Sequence, residues 1–251
     1  MKILLTGLAL ALSAFQPTPL YTVEVLKLTE PGCKANCSHF ELEYPKLLKA
    51  GNAAALARIQ QALQKALLET LTIEKPSPDL PAAIQAFFSE ATGFHKEAPD
   101  APAWEMQATA AVHFYSERIV SIRLESYLFA GGAHGLPGTR FLNFDLQTGE
   151  PLKLANLLLP DAMVKVKQLG EKQFRQDKEL PEEQRLQELG FDFEKDGFYL
   201  PDNVGIGRFS LTFFYNVYEI GPYVAGTTEL TLPYYELAPL LKPEWRKLLA
   251  P

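Results

Sequence analysis

Cysteine is scarce in this chain. Cys33 and Cys37 are the only two among 251 residues, which excludes a disulfide-rich scaffold. Histidine is nearly as scarce: His39, His95, His113 and His134 stand far apart. No two of them share a helix face, as the ligands of a catalytic zinc site often do. Basic charge is in deficit, with Lys+Arg 24 against Asp+Glu 30 and a net charge of −6. That balance argues against a nucleic-acid partner, which requires a basic footprint. Beyond the first fifteen residues there is no long uncharged apolar run, so no membrane span is expected in the mature chain. The G-x-S-x-G, H-E-x-x-H, G-x-x-x-x-G-K-[ST] and G-x-G-x-x-G patterns are all missing, so no cofactor and no metal is expected.

What is present begins with an address. Met1-Lys2 precedes the apolar stretch Ile3 to Ala14, and Phe15-Gln16-Pro17-Thr18-Pro19 breaks the chain after it. One positive charge, a short apolar segment and small residues read as a secretory signal peptide over residues 1–14, with cleavage as late as about residue 19. The expected location is therefore exported, periplasmic or secreted. In an oxidising compartment the close pair Cys33 and Cys37 reads as a disulfide across a turn. The sharper alternative, a metal held by Cys33, Cys37 and His39, has no recognised structural zinc spacing and no fourth ligand nearby.

Hydrophobic periodicity sets the fold class. Tyr21–Leu28 and Ser38–Tyr44 alternate as strands, and the cysteine turn joins them. Leu56, Ile59, Leu63 and Leu67 recur at helical spacing from an Asn52 cap to Thr70. Leu80, Ile84, Phe87 and Phe88 predict a second helix ending at Gly93. Trp104–Phe114 and Val120–Leu128 are strands whose even residues are apolar. Pointing both apolar faces at one core requires a three-residue turn, with Val112 opposite Ile122, Thr109 opposite Glu125 and His113 opposite Ser121. A third strand is expected over Thr139–Leu146. Asp161 is expected to cap a helix reaching Gln176 with Val164 and Leu169 inward, and a shorter helix is expected over Leu180–Leu189. Three more strands follow, at Phe198–Pro201, Arg208–Val217 and Thr227–Leu232, the middle one burying Phe209, Leu211, Phe213, Tyr215 and Val217. Two short helical pieces, Tyr234–Leu241 and Pro243–Leu249, close the chain. This order predicts an α+β fold of mainly antiparallel sheets with helices packed on one side and two closely associated subdomains. The subdomains are residues 20–154 and 155–251.

Among side chains able to do chemistry, His134 stands out. It lies in Gly131-Gly132-Ala133-His134-Gly135, where glycines permit close backbone approach. It reads either as a ligand-site acid, base or hydrogen-bond donor, or as a turn residue whose imidazole bonds the backbone. No partner nucleophile lies near it in sequence. Glu125, beside Arg123, belongs to a plentiful set of carboxylates whose bland reading is solvated sheet surface. Tyrosines gather late in the chain, and those within Asn216–Tyr223 and at Tyr234-Tyr235 read as surface residues suited to glycan or protein contact.

Several runs together carry a resemblance. They are Tyr127 to Gly135 (YLFAGGAHG), Phe144 to Gly149 (FDLQTG), Leu152 to Leu158 (LKLANLL), Phe214 to Gly226 (FYNVYEIGPYVAG), and Leu232 to Leu237 with Leu240 to Pro243. In this order they resemble the RsiV/PdaC family of extracytoplasmic domains, a PdaC-like part preceding a DUF3298 part. The early cysteines and Glu43-Tyr44-Pro45 are similar to exported members. The resemblance implies an envelope binding or sensing module. One member is an anti-sigma factor that binds lysozyme outside the membrane; another is a peptidoglycan deacetylase that carries the domain ahead of its catalytic part. The chain departs from both, lacking a sigma-binding segment and the deacetylase's metal-binding Asp and His motifs. The expectation is a non-enzymatic module contacting peptidoglycan or a lysozyme-type protein through His134, Tyr218, Tyr223 and Tyr127. The alternative expectation is a hydrolase of wall glycans using His134 and a nearby carboxylate.

Overall fold

The computed structural model describes residues 21–193 and 197–250; the expected signal peptide lies outside the described residues. The chain runs β1 (Tyr21–Thr29), β2 (His39–Leu47), α1 (Ala53–Thr70), α2 (Leu80–Glu97), β3 (Glu105–Tyr115), β4 (Ile119–Phe129) and β5 (Leu136–Asp145). It continues through α3 (Leu154–Leu157), α4 (Ala162–Asp177), β6 (Val204–Ile206), β7 (Ser210–Tyr215), β8 (Thr228–Pro233), α5 (Tyr234–Leu237) and α6 (Pro243–Leu249). The strands form a five-stranded sheet in order β1-β2-β3-β4-β5 and a three-stranded sheet in order β6-β7-β8. Every pairing is antiparallel except β2 with β3. The fold is α+β, as the periodicity predicts.

Period-two alternation divides the large sheet into two faces. Phe40, Leu42, Met106, Ala108, Ala110, Val120, Ile122, Leu124 and Phe144 point one way and are buried against the inner stripes of α1 and α2. Asn52 and Asp79 cap these helices, each accepting from the backbone N–H three residues on. The opposite face, over β4 and β5, meets the small sheet: Ile119 joins a second core with Val204, Ile206, Leu211, Phe213 and Leu232. Helix α4 supplies Val166 and Phe174 to this second core. Phe174 sits among Phe191, Phe193, Phe198 and Tyr215, with ring centroids 5.1–6.4 Å away.

Exposed sheet edges invite unwanted pairing, and here two of them are closed by asparagine side chains. On β5, Thr139 N–H donates to Asn216 Oδ1 at 2.7 Å and Phe141 N–H to Asn203 Oδ1 at 2.8 Å. The Thr139 carbonyl accepts from both asparagines. In return Asn143 of β5 donates to the Val204 carbonyl at 2.7 Å and accepts from Ile206 N–H at 3.0 Å. A carboxamide presents a C=O acceptor beside N–H donors much as a peptide group does, so it substitutes for a strand. These exchanges lock the small sheet onto the edge of the large one.

Several local expectations are corrected. Helix α2 passes through Gly93 to Glu97: an interior glycine costs only about 1 kcal/mol, and Phe94 beyond it packs on Trp104 at 5.6 Å. The three-residue turn and the pairs Val112–Ile122 and Thr109–Glu125 are present, but a bulge after Val112 puts Phe114, not His113, opposite Ser121. The bulge moves Phe114 onto the second core and leaves His113 edge-on to Phe141 at 5.1 Å. Asp161 precedes α4 in a left-handed conformation without a side-chain cap bond. Val164 faces solvent, because the inner stripe of α4 is Ala162, Val166, Gly170 and Phe174 at spacings of four. Only Leu186–Leu189 of the next expected helix is helical, as one 3₁₀ turn. The strand expected at Phe198–Pro201 lies instead at Val204–Ile206, since Phe198 is drawn into the Phe174 cluster without a ladder. Phe209 precedes β7 and is 74% exposed. Val217, beyond the end of β7, is only half-buried. Tyr234 is buried, its hydroxyl donating to the Gly207 carbonyl at 3.1 Å.

Candidate functional site

Two loops meet at one end of the small sheet. The first, 130–135, joins β4 to β5; the second, 216–227, joins β7 to β8. Gly131 fixes the first loop's path. Its φ is +75°, and a Cβ there would lie 2.5 Å from the Phe94 ring and 3.2 Å from Trp104 Nε1. The glycine thus lets the backbone lie flat on the end of α2. The Trp104 indole N–H beneath it is buried without a hydrogen-bond partner among the described residues. Gly135 lies directly against the Tyr127 ring, which would collide with any Cβ.

The second loop brings its tyrosines to the first. The His134 and Tyr223 rings stack, with centroids 3.8 Å apart and planes inclined 21°. Tyr218 lies beside the stack, its ring 5.6 Å from Tyr223 at 42°. His134 Nδ1 lies 3.1 Å from the Gly135 carbonyl, and Nε2 lies 3.4 Å from Tyr218 Oη. A carbonyl oxygen only accepts, so Nδ1 carries the proton and Nε2 is left to accept from Tyr218. The Tyr223 hydroxyl donates to the same Gly135 carbonyl at 2.8 Å. Tyr218 holds a left-handed backbone with φ +68°, a conformation that costs energy for a bulky residue and gathers at binding sites.

Three of the four residues singled out from the sequence, His134, Tyr218 and Tyr223, therefore pack together, and the fourth, Tyr127, lies against Gly135 next to them. The cluster's outer surface is apolar. Tyr218 is 57% exposed, Leu136 50% and Val224 90%. Val224 is carried outward by a single 3₁₀ turn, Tyr223–Ala225. The one carboxylate in the second loop, Glu219, is engaged by the Asn216 backbone N–H. Among the described residues no carboxylate pairs with His134, whose ring nitrogens face Gly135 and Tyr218. Glu125 is exposed at the margin of the face that meets the small sheet, bonded to Arg123 at 3.0 Å, and Arg123 reaches on to Glu229 of β8 at 3.2 Å. Cys33 and Cys37 form a disulfide with Cα atoms 5.6 Å apart at the tip of the β1–β2 hairpin.

Sequence reasoning missed Leu136 and Val224, which carry no chemical signature beyond being apolar, one at the start of β5 and the other inside the second loop. It also missed Asn203 and Asn216, which hold the second loop against β5. Their one visible sign is an amide beside a strand, a weak signal. Among the described residues no helix is long and apolar enough to cross a membrane.

Two family models match the chain. One, described as deacetylase PdaC, covers residues 32–137, and the other, described as a protein of unknown function (DUF3298), covers residues 155–235. No curated protein matches. Among solved structures, a DUF3298 family protein from Pseudomonas aeruginosa PAO1 is similar with a TM-score of 0.72 and 26% identity. That match covers 92% of this chain and 97% of the other. A DUF3298 member from Bacteroides fragilis shares the fold with a TM-score of 0.71 and 21% identity, covering 88% of this chain and 94% of the other.

Proposed function

We propose, from the match of the DUF3298 model to residues 155–235 and of the PdaC model to residues 32–137, that this chain is an exported binding module of the cell envelope. Its ligand is peptidoglycan, contacted through the aromatic platform of His134, Tyr218, Tyr223 and Tyr127. The observation that carries this reading is the convergence of three rings, His134, Tyr218 and Tyr223, from two separate loops, with the Tyr218 ring left to solvent. A rigid aromatic surface offers contact area at little entropic cost. The Cys33–Cys37 disulfide supports an oxidising location.

A second reading has its own observation. Val224 and Leu136 flank the platform as exposed aliphatic knobs, which suit insertion into a protein pocket. A cationic wall-active protein such as lysozyme would also be steered toward a chain of net charge −6.

The deacetylase in the first family's description is not carried over. Among the described residues no three His, Cys, Asp or Glu side chains gather as metal ligands. Hydrolysis by His134 lacks its second group, since the imidazole faces a carbonyl and a phenol.

Co-sedimentation with purified peptidoglycan sacculi, repeated across salt, tests the proposal. Binding that survives high salt supports the glycan reading. Absence of binding at every salt concentration overturns it, and lysozyme is then tried in solution.

A further inference from the structure

A second cleft lies away from the aromatic platform. It runs between the outward face of α1 and the outer edge of β5 and has a volume of about 580 Å³. It opens into a shallower trough of about 860 Å³ along α1, and the two share Ala62, Lys65, Glu69 and Pro151. The molecule is acidic, but this channel is not. Four cationic side chains line it (Arg58, Lys65, Arg140 and Lys153) against three anionic ones (Glu69, Glu150 and Asp202). A local positive excess on a chain of net charge −6 runs against the molecule's own field.

The cations are held in a releasable way. Arg140 reaches across the cleft from β5 to Glu69 of α1 at 2.6 Å, and Lys65 shares the same carboxylate at 3.8 Å. One negative charge thus serves two positive ones. The Arg140 guanidinium, bonded to it, holds the Glu69 carboxyl below its ordinary range. At the far end Arg58 pairs with Glu150 at 3.2 Å. All three pairs are about half-exposed or more, the class of ion pair that is weak in water. A ligand carboxylate can exchange for Glu69 or Glu150 at little cost.

We propose that this channel binds an extended acidic peptide, with one carboxylate at Arg140 and Lys65 and a second at Arg58. Eleven residues of α1 separate Arg58 from Glu69, about 16 Å at the helical rise of 1.5 Å per residue. An extended peptide covers that distance in about five residues. The channel's polar groups and its Pro76, Pro78 and Pro151 rings complete a lining that suits a peptide backbone. The cations that receive the two carboxylates, Arg58 and Lys65 of α1 and Arg140 of β5, are none of them residues of the platform.

The probe is a blocked, fluorescently labelled hexapeptide with Glu at both ends and Ala or Gly between, compared with the same peptide ending in Gln. Fluorescence anisotropy at low salt reads the affinity. The wild type binds the Glu peptide and not the Gln peptide. Arg140→Ala and Arg58→Ala each weaken binding about three- to tenfold, and Glu69→Gln strengthens it by a similar factor because it frees two cations. A gain of affinity cannot come from misfolding, which makes Glu69→Gln the decisive variant. Tyr218→Ala leaves peptide binding unchanged while testing the platform separately. Equal binding of both peptides, no binding by the wild type, or no gain in Glu69→Gln would each overturn the proposal.

Discussion

Replacing Asn143 by alanine should destabilise the whole molecule, although its side chain takes no part in the aromatic platform. Its side chain is 94% buried between the two sheets, with a 2.7 Å bond to the Val204 carbonyl and a 3.0 Å bond from Ile206 N–H. Alanine removes one partner from a buried acceptor and one from a buried donor. Each orphaned group costs about 1–3 kcal/mol, and the void left by the amide adds to it. A loss of about 3 kcal/mol lowers the melting temperature of a chain this size by about 6–12 °C. Asn143→Asp tests the chemistry of the same position. The carboxylate still accepts from Ile206 N–H but cannot donate to the Val204 carbonyl unless protonated. It should therefore be more destabilised near pH 8 than near pH 5, in the direction of an ordinary carboxyl titration. Thermal unfolding followed by circular dichroism reads all of this, with Thr109→Ala on the exposed sheet face as the control. If Asn143→Ala melts within about 1 °C of the wild type, the asparagine clasp does not hold the sheets together.

Further outcomes follow from other parts of the fold. Gly149→Ala should be poorly tolerated, since φ is +76° and the new Cβ would sit 2.5 Å from the Ala55 carbonyl oxygen and 2.7 Å from its Cα; a loss above about 2 kcal/mol in urea unfolding is expected, and wild-type stability would refute it. Cys33→Ser with Cys37→Ser should cost no more than about 2 kcal/mol, because the closed loop is only a few residues long; a collapse of folding would show that the hairpin tip does more. Desolvation, with Arg123 adding to it and Glu229 partly opposing, lowers the pKa of His113 below its ordinary value. The neutral imidazole is then the form the fold favours. Protonation destabilises the native state as the pH falls below the unfolded histidine's range, and the penalty levels off below the folded pKa. His113→Gln should flatten the stability profile between about pH 7 and pH 5, and an unchanged profile would contradict the assignment.

Much of the architecture was legible in the sequence where one face is buried and the period is sustained. Residues 104–128 gave strand pairing, turn length and facing pairs, because a slip of one residue would have turned Ile122 and Val120 out of the core. The exception, His113, lies where a bulge was invisible to parity. The bulge is set by a second sheet arriving from far along the chain, a contact that alternation cannot encode. The same reason explains Phe198 and Phe209. Both are aromatic residues beside strands, and only tertiary packing decides that one is swallowed by the Phe174 cluster and the other left in water. The platform was half legible. Glycines around His134 and tyrosines in 216–223 mark two loops worth attention, but their meeting depends on Asn216 and Asn203 fastening one loop to the β5 edge. The α1–β5 channel was not legible, since its cations are scattered over residues 58 to 153 and converge only in the folded molecule.

The central claim is that the aromatic end of the molecule is its contact surface with the envelope. The most direct measurement compares sacculus binding of the wild type and Tyr218→Ala in parallel, at a salt concentration that abolishes non-specific charge effects, with circular dichroism confirming that both are folded. Tyr218 is more than half exposed and supports no core packing, so the variant removes contact area without removing stability. The account predicts a fall of about tenfold or more in affinity, the loss expected at a hot-spot tyrosine. Equal binding by the two proteins would contradict it.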